Sequence, residues 1–93
     1  MYYVECEVTG GLRESEVTVS IEDVNGARAF LRVEREFIHQ PNGQAYLPIG
    51  LIHVDQQADR ALIELPHEAD SGVNRLWVAT RKLKVASELK EAV

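Results

Sequence analysis

The stretch that decides the fold runs from Ser15 to Ile38: Ser-Glu-Val-Thr-Val-Ser-Ile-Glu-Asp-Val-Asn-Gly-Ala-Arg-Ala-Phe-Leu-Arg-Val-Glu-Arg-Glu-Phe-Ile. Val17, Val19 and Ile21 alternate with Glu16, Thr18, Ser20 and Glu22, the period of a strand with one dry face. Val24-Asn25-Gly26 then reads as a turn, and a second run follows from Arg28 to Ile38. Two hairpin registers compete. A two-residue Asn25-Gly26 turn sets Val19 opposite Arg32 and Val17 opposite Glu34. A three-residue loop with Gly26 in the left-handed conformation sets Val17 opposite Val33, Val19 opposite Leu31 and Ile21 opposite Ala29. The second register collects the aliphatic residues on one face. A one-residue slip would turn all of them to the wrong side, so the three-residue loop is expected. It pairs Glu22 with Arg28 and Thr18 with Arg32. Its costs are a Glu16/Glu34 pairing and Phe30 on the polar face. Ala27–Ile38 also fits a helix, with Phe30, Val33 and Phe37 spaced three or four residues apart among good helix formers. Strand and helix both stay open for that segment.

Outward from this hairpin the chain continues in strands. Tyr2, Val4, Cys6 and Val8 alternate with Tyr3, Glu5, Glu7 and Thr9, and Gly10-Gly11 is expected to end that run. Pro41-Asn42-Gly43 marks a second turn, which suggests that Glu36–Gln40 returns into Ala45–Val54. The latter run is apolar on both faces. It predicts a well-covered central strand, bent or bulged near Pro48 and Gly50. Ala61–Pro66, Arg75–Ala79 and Leu83–Val85 read as further strands. His67–Asn74 reads as a polar loop with Gly72 at positive φ. Ser87–Val93 reads as a short helical or frayed tail with Ser87 as N-cap. The expected domain therefore spans residues 1–86, with 87–93 as the tail.

Composition agrees with a single all-β domain. The chain has 93 residues, 45% hydrophobic and 27% charged, with a formal charge of −5. This is too apolar for a disordered chain and lacks any run long enough to span a membrane. A lone cysteine excludes an internal disulfide framework. Met1–Glu5 lacks the basic and apolar segments of a secretory signal, so a cytoplasmic setting is expected. The charge is uneven. Residues 1–74 hold five basic and thirteen acidic side chains, and residues 75–93 hold five basic and two acidic.

Tyr46–Val54 and Ala61–Pro66, followed by a loop and then Arg75-Leu-Trp-Val-Ala-Thr-Arg-Lys-Leu83, resemble the second half of SH3-like barrels. The resemblance covers roughly residues 46–85 and carries no catalytic motif. It implies a small barrel of five to seven strands, preceded here by an extra strand and hairpin. Thr80–Lys82 would be the tight turn before the last short strand. Such barrels serve many unrelated functions.

No phosphate-binding glycine pattern and no nucleophile elbow are present. His67, Asp70 and Ser71 share one loop but show neither a third triad group nor an anion-stabilising pocket. Cys6 falls on the apolar parity between Glu5 and Glu7. Both features raise a thiol pKa, so an inert thiol is expected. The leading expectation is a non-enzymatic accessory or protein-interaction domain without a cofactor. Phe30 and Trp77 would dock an unknown protein partner. Arg75, Arg81, Lys82 and Lys84 would steer it, and unpaired strand edges would offer strand addition or a homodimer. Two alternatives stand beside it: nucleic-acid binding through the C-terminal basic edge, which the acidic body disfavours, and a metal site formed by His39, His53 and His67.

Overall fold

The computed structural model describes residues 1–89. These form seven strands: β1 (Tyr2–Arg13), β2 (Glu16–Glu22), β3 (Arg28–Glu34), β4 (Ala45–Asp55), β5 (Arg60–Glu64), β6 (Arg75–Ala79) and β7 (Leu83–Val85). They make one antiparallel sheet in the order β3-β2-β1-β4-β5-β6, with β7 added to β1, and the sheet curls into a half-barrel. Among the described residues helical structure is limited to 3-10 turns at Arg35–Phe37, Thr80–Lys82 and Ala86–Leu89.

The β2–β3 hairpin adopts the three-residue-loop register. Val17 pairs with Val33, Val19 with Leu31, Ile21 with Ala29 and Glu22 with Arg28. Gly26 has φ +82°, and its N–H donates to the Asp23 carbonyl at 3.1 Å. The Asp23 carboxylate accepts from the Asn25 and Ala27 amides at 2.8 and 3.0 Å, which closes the turn from inside. Strand pairing thus displaces the helical reading of Arg28–Glu34, and only the single 3-10 turn at Arg35–Phe37 remains of it.

The curl folds the inner faces onto one core. Val17, Val19, Ile21, Leu31 and Val33 from the hairpin join Val4, Leu47, Ile63, Leu65, Leu76 and Val78 in a single buried cluster. A fully buried aliphatic side chain contributes roughly 1.5–3 kcal/mol relative to an exposed one. β1 makes this possible by serving two sets of neighbours. Tyr2–Cys6 pairs with β4 on one side, and Tyr2–Val4 pairs with β7 on the other. Glu7–Arg13 pairs with β2. Gly10-Gly11 does not end the strand. It marks irregular pairing between Val8 and Arg13, with Gly10 at φ +107°, because β2 keeps pairing across it.

The middle of the chain departs from the sequence expectation. Glu36–Gln40 does not form a strand, and its pairing with β4 shrinks to one bridge, His39 with Tyr46. The segment instead lies beside β4 at that bridge, and the His39 ring meets Tyr3 of β1 edge-on at 4.7 Å. β4 is well covered only in its first half. Ala45, Leu47 and Ile49 are buried, whereas Ile52 and Val54 are exposed. The bulge lies between Leu51 and His53, just beyond Gly50. Pro48 opposes Tyr3 in the ladder. Lacking an N–H, it fits there only with its nitrogen facing away from β1. The tail begins as the 3-10 turn over Ala86–Leu89, with Leu89 buried. The rest of the expected tail, 90–93, lies outside the described residues.

Hydrogen bonds from loops and turns reach the edges of β3, β6 and β7. On β3, the Phe30 carbonyl accepts from the Asp70 amide at 2.8 Å. On β6, the Trp77 carbonyl accepts from the Val24 amide at 2.9 Å. On β7, the Leu83 amide donates to the Thr80 carbonyl and the Val85 amide to the Glu88 carboxylate. Beyond Ile49, β4 keeps β5 as its only strand neighbour among the described residues, which leaves one side of Leu51–Asp55 open.

A Cβ added at Gly26 would touch nothing within 4 Å, so Gly26→Ala tests backbone strain alone. Urea denaturation should show a loss of about 1–2 kcal/mol for Gly26→Ala. Leu31→Ala, which empties a fully buried site, should cost about 2–5 kcal/mol.

Candidate docking surface

Alternation along β4, β5 and β6 sends Ala61, Ile63, Leu76 and Val78 inward and Arg60, Leu62, Glu64, Arg75, Trp77 and Ala79 outward. Pairing aligns the outward set in rows: His53 with Leu62 and Trp77, Asp55 with Arg60 and Ala79, and Gly50 with Glu64 and Arg75. Trp77 is the centre of this face. The Arg60 guanidinium lies 4.5 Å from its ring centroid. The His53 ring meets it edge-on at 6.3 Å, with the planes 90° apart. A cation over an indole face is attracted by the ring quadrupole, and the indole holds the guanidinium flat against the sheet. The Arg60 Nε lies 3.7 Å from the Asp55 carboxylate, and that nitrogen is buried without a hydrogen-bond partner. Arg75 approaches Glu64 at 3.6 Å in the next row. The result is a half-buried indole flanked by polar side chains, beside the open edge of β4 and the exposed Ile52 and Val54.

The residues singled out in the sequence do not form one site. Phe30 is 42% exposed on the outer face of β3, opposite Ser20, in a different strand pair from Trp77. Arg75 is exposed, with its charge near Glu64. Arg81 is exposed in the Thr80–Lys82 turn, and Lys84 is half-buried opposite Tyr3. Lys82 is buried, and its Nζ donates to the Glu22 carboxylate at 2.7 Å. It therefore ties the last 3-10 turn to the end of β2. This pair stands where β1 changes neighbours from β7 to β2. It lines a polar cleft of about 190 Å³ together with Glu5, Glu7, Ser20, Arg28 and Arg81. Within the cleft Arg28 donates to Ser20 at 3.1 Å and to Glu7 at 3.3 Å. Two of the four residues of the basic edge read from the sequence, Arg75 and Lys82, thus face carboxylates.

The three histidines are held apart by separate contacts: His39 on Tyr3, His53 on Trp77, and His67 on the backbone of Arg32 and Glu68. Among the described residues no group of three or more His, Cys, Asp or Glu side chains is placed to hold a metal ion. Both ring nitrogens of His67 face backbone carbonyls, which leaves neither for the Ser71 hydroxyl. Gly72 has the expected positive φ, +88°. Asp70 uses its amide on Phe30 of the neighbouring strand.

An apolar groove of about 260 Å³ escaped the sequence reading. Met1, Phe37, Pro48, Ile49, Leu65 and Pro66 line it, with Phe37 49% exposed. It occupies the gap between the His39–Tyr46 bridge and the start of β5 pairing at Gly50. The signal available in the sequence was Pro48 itself, a residue that interrupts donation along one edge.

Comparison with protein-family models, with curated proteins and with solved structures finds no match for this chain. Among the described residues no helix is long and apolar enough to cross a membrane.

Two titrations follow. The hydrogen bond from Lys82, and next its charge, hold the Glu22 carboxyl below its ordinary value, with Arg28 and Arg81 adding smaller pulls. A carboxyl lowered on folding stabilises the protein above its unfolded pKa of about 4.3 and loses that effect as the pH falls further. The urea midpoint should therefore drop less steeply between about pH 5 and pH 3 in Glu22→Gln than in the parent. Burial, followed by the charges of Glu5 and Glu7, pushes the Cys6 thiol up to about 12. Iodoacetamide at about pH 8 should leave the native protein unmodified and label it in urea; rapid native labelling would show the site to be open.

Proposed function

We propose that this chain is a non-enzymatic protein-interaction domain of SH3-like build that docks a partner protein on the outer face of β4, β5 and β6. The observation that carries the reading is Trp77, half-buried under Arg60 and beside His53 on a sheet face that keeps solvent access. Tryptophan and arginine are enriched among the residues that dominate the energetics of protein interfaces, and an indole offers a large flat surface with only two side-chain torsions to fix. The contacts to Arg60 and His53 hold the indole in place before a partner arrives, which lowers the ordering cost of association. The open edge of β4, with exposed Ile52 and Val54, extends the same surface.

The SH3-like reading rests on the chain order after the hairpin. β4 and β5 form an antiparallel pair, a loop leads to β6, a single 3-10 turn spans Thr80–Lys82, and the short β7 returns to pair with β1. The added β2–β3 hairpin supplies one side of the core.

The test compares captured proteins. The immobilised chain, Trp77→Ala and Phe37→Ala are each exposed to lysate of the cells that make the protein, with circular dichroism confirming that all three fold. A partner retained by the parent and by Phe37→Ala, and weakened at least about tenfold by Trp77→Ala, supports the reading. Equal retention by Trp77→Ala removes this face from consideration, and loss only in Phe37→Ala moves the docking site to the apolar groove.

A further inference from the structure

We propose that two copies of this chain join along the open edge of β4, antiparallel, about a two-fold axis at Val54, so that His53 of each copy faces Asp55 of the other. Among the described residues, Leu51–Asp55 has β5 on one side and no strand on the other. A strand so placed presents unpaired N–H and C=O groups, and an added antiparallel strand satisfies them. The stretch contains neither lysine nor proline, the residues that commonly blunt a free edge. The edges of β3 and β6, by contrast, receive the Asp70 and Val24 amides.

The parity of the strand selects a second copy and its register. Val54 pairs with the buried Ala61 and so shares the inner face, whereas His53 and Asp55 pair with the outward Leu62 and Arg60. The bulge puts Leu51, opposite the buried Ile63, on the inner face as well, so alternation is regular only from His53 to Asp55. Directly opposed residues of an antiparallel pair project to the same face. A two-fold centred on His53 would set the inward Leu51 against the outward Asp55, and a centre between two residues would oppose inward to outward positions. A two-fold centred on Val54 agrees on both faces. On the inner face it sets Val54, 39% exposed in the single chain, against its own copy and covers both. On the outer face it sets His53 against Asp55 twice, each imidazole N–H opposite a carboxylate. Asp55, the one formal charge in the stretch, never meets its own copy. Such a contact is isologous and closes at two chains. The row of Trp77, Leu62 and His53 then continues into Asp55 and Arg60 of the second copy, on one side of a shared sheet. The pairing goes beyond the docking reading and does not require Trp77 to bind anything.

Sedimentation equilibrium of the whole chain tests the association. A dimer is expected by about 0.5 mM, and a chain still monomeric at that concentration overturns the proposal. Val54→Lys sets two ammonium groups against each other on the axis. It should weaken the dimer at least about tenfold while circular dichroism shows a folded chain. Cross-linking with diamide reads the register independently. In Val54→Cys the opposed Cα atoms would lie about 4.5–5.5 Å apart, within disulfide range, so a covalent dimer should form. In Ile52→Cys the equivalent positions would lie about 14 Å apart along the strands, so the chains should stay single. Cys6 is buried, and the parent chain treated alike is the control. A dimer untouched by Val54→Lys overturns the proposal. So does cross-linking through Ile52→Cys in place of Val54→Cys.

Discussion

The rest of the structure depends on the register of the β2–β3 hairpin. Because side chains alternate, the pairing of Val19 with Leu31 decides whether five aliphatic residues face the core or the solvent. The register is held by a turn in which Gly26 takes a conformation that costs an L residue strain and the Asp23 carboxylate satisfies two turn amides. With the hairpin in place, its dry face covers the inner faces of β4, β5 and β6, and the sheet curls around one core.

Curling brings the ends of the sheet close to segments far away in sequence. The hairpin turn reaches β6 through Val24, and the β5–β6 loop reaches β3 through Asp70 and His67. These bonds occupy groups that would otherwise form open edges, the usual route to unwanted association. Lys82 and Glu22 close the corresponding gap between β7 and β2. The Glu22 carboxylate gives the buried Lys82 ammonium a partner, and the pair contributes to holding β7 against β2. The solvent-facing surfaces that remain have different characters: the Trp77 face is aromatic with paired charges, the groove at Phe37 is apolar, and the edge of β4 beyond Ile49 exposes backbone.

The Trp77 face and the loop seam draw on separate parts of this architecture. Trp77 is held by side chains of its own three-stranded face. The ring of His67 faces backbone oxygens at the seam where the sheet curls onto itself. One supplies a preorganised surface. The other joins the β5–β6 loop to β3.

By itself the sequence determined β1, β2, β4, β5 and β6 and, given a strand at Arg28–Glu34, its register against β2, because these follow from local alternation and turn chemistry; the turn at Thr80–Lys82 was implied by the resemblance to SH3-like barrels. The sequence also pointed to the raised pKa of the Cys6 thiol, since parity and the neighbouring Glu5 and Glu7 lie within one strand. Tertiary structure alone decided what Arg28–Ile38 would become. Both periods were present there, and pairing with β2 selected strand through Glu34 and left one 3-10 turn after it. It also decided the fate of the charged and aromatic candidates. Lys82 meets Glu22 across 60 positions and Arg60 meets Trp77 across neighbouring strands, contacts that no local pattern encodes. The uncovered second half of β4 has the same origin. Leu51, Ile52 and Val54 are as apolar as the residues of the first half, but the pairing of β4 with β1 stops at Ile49.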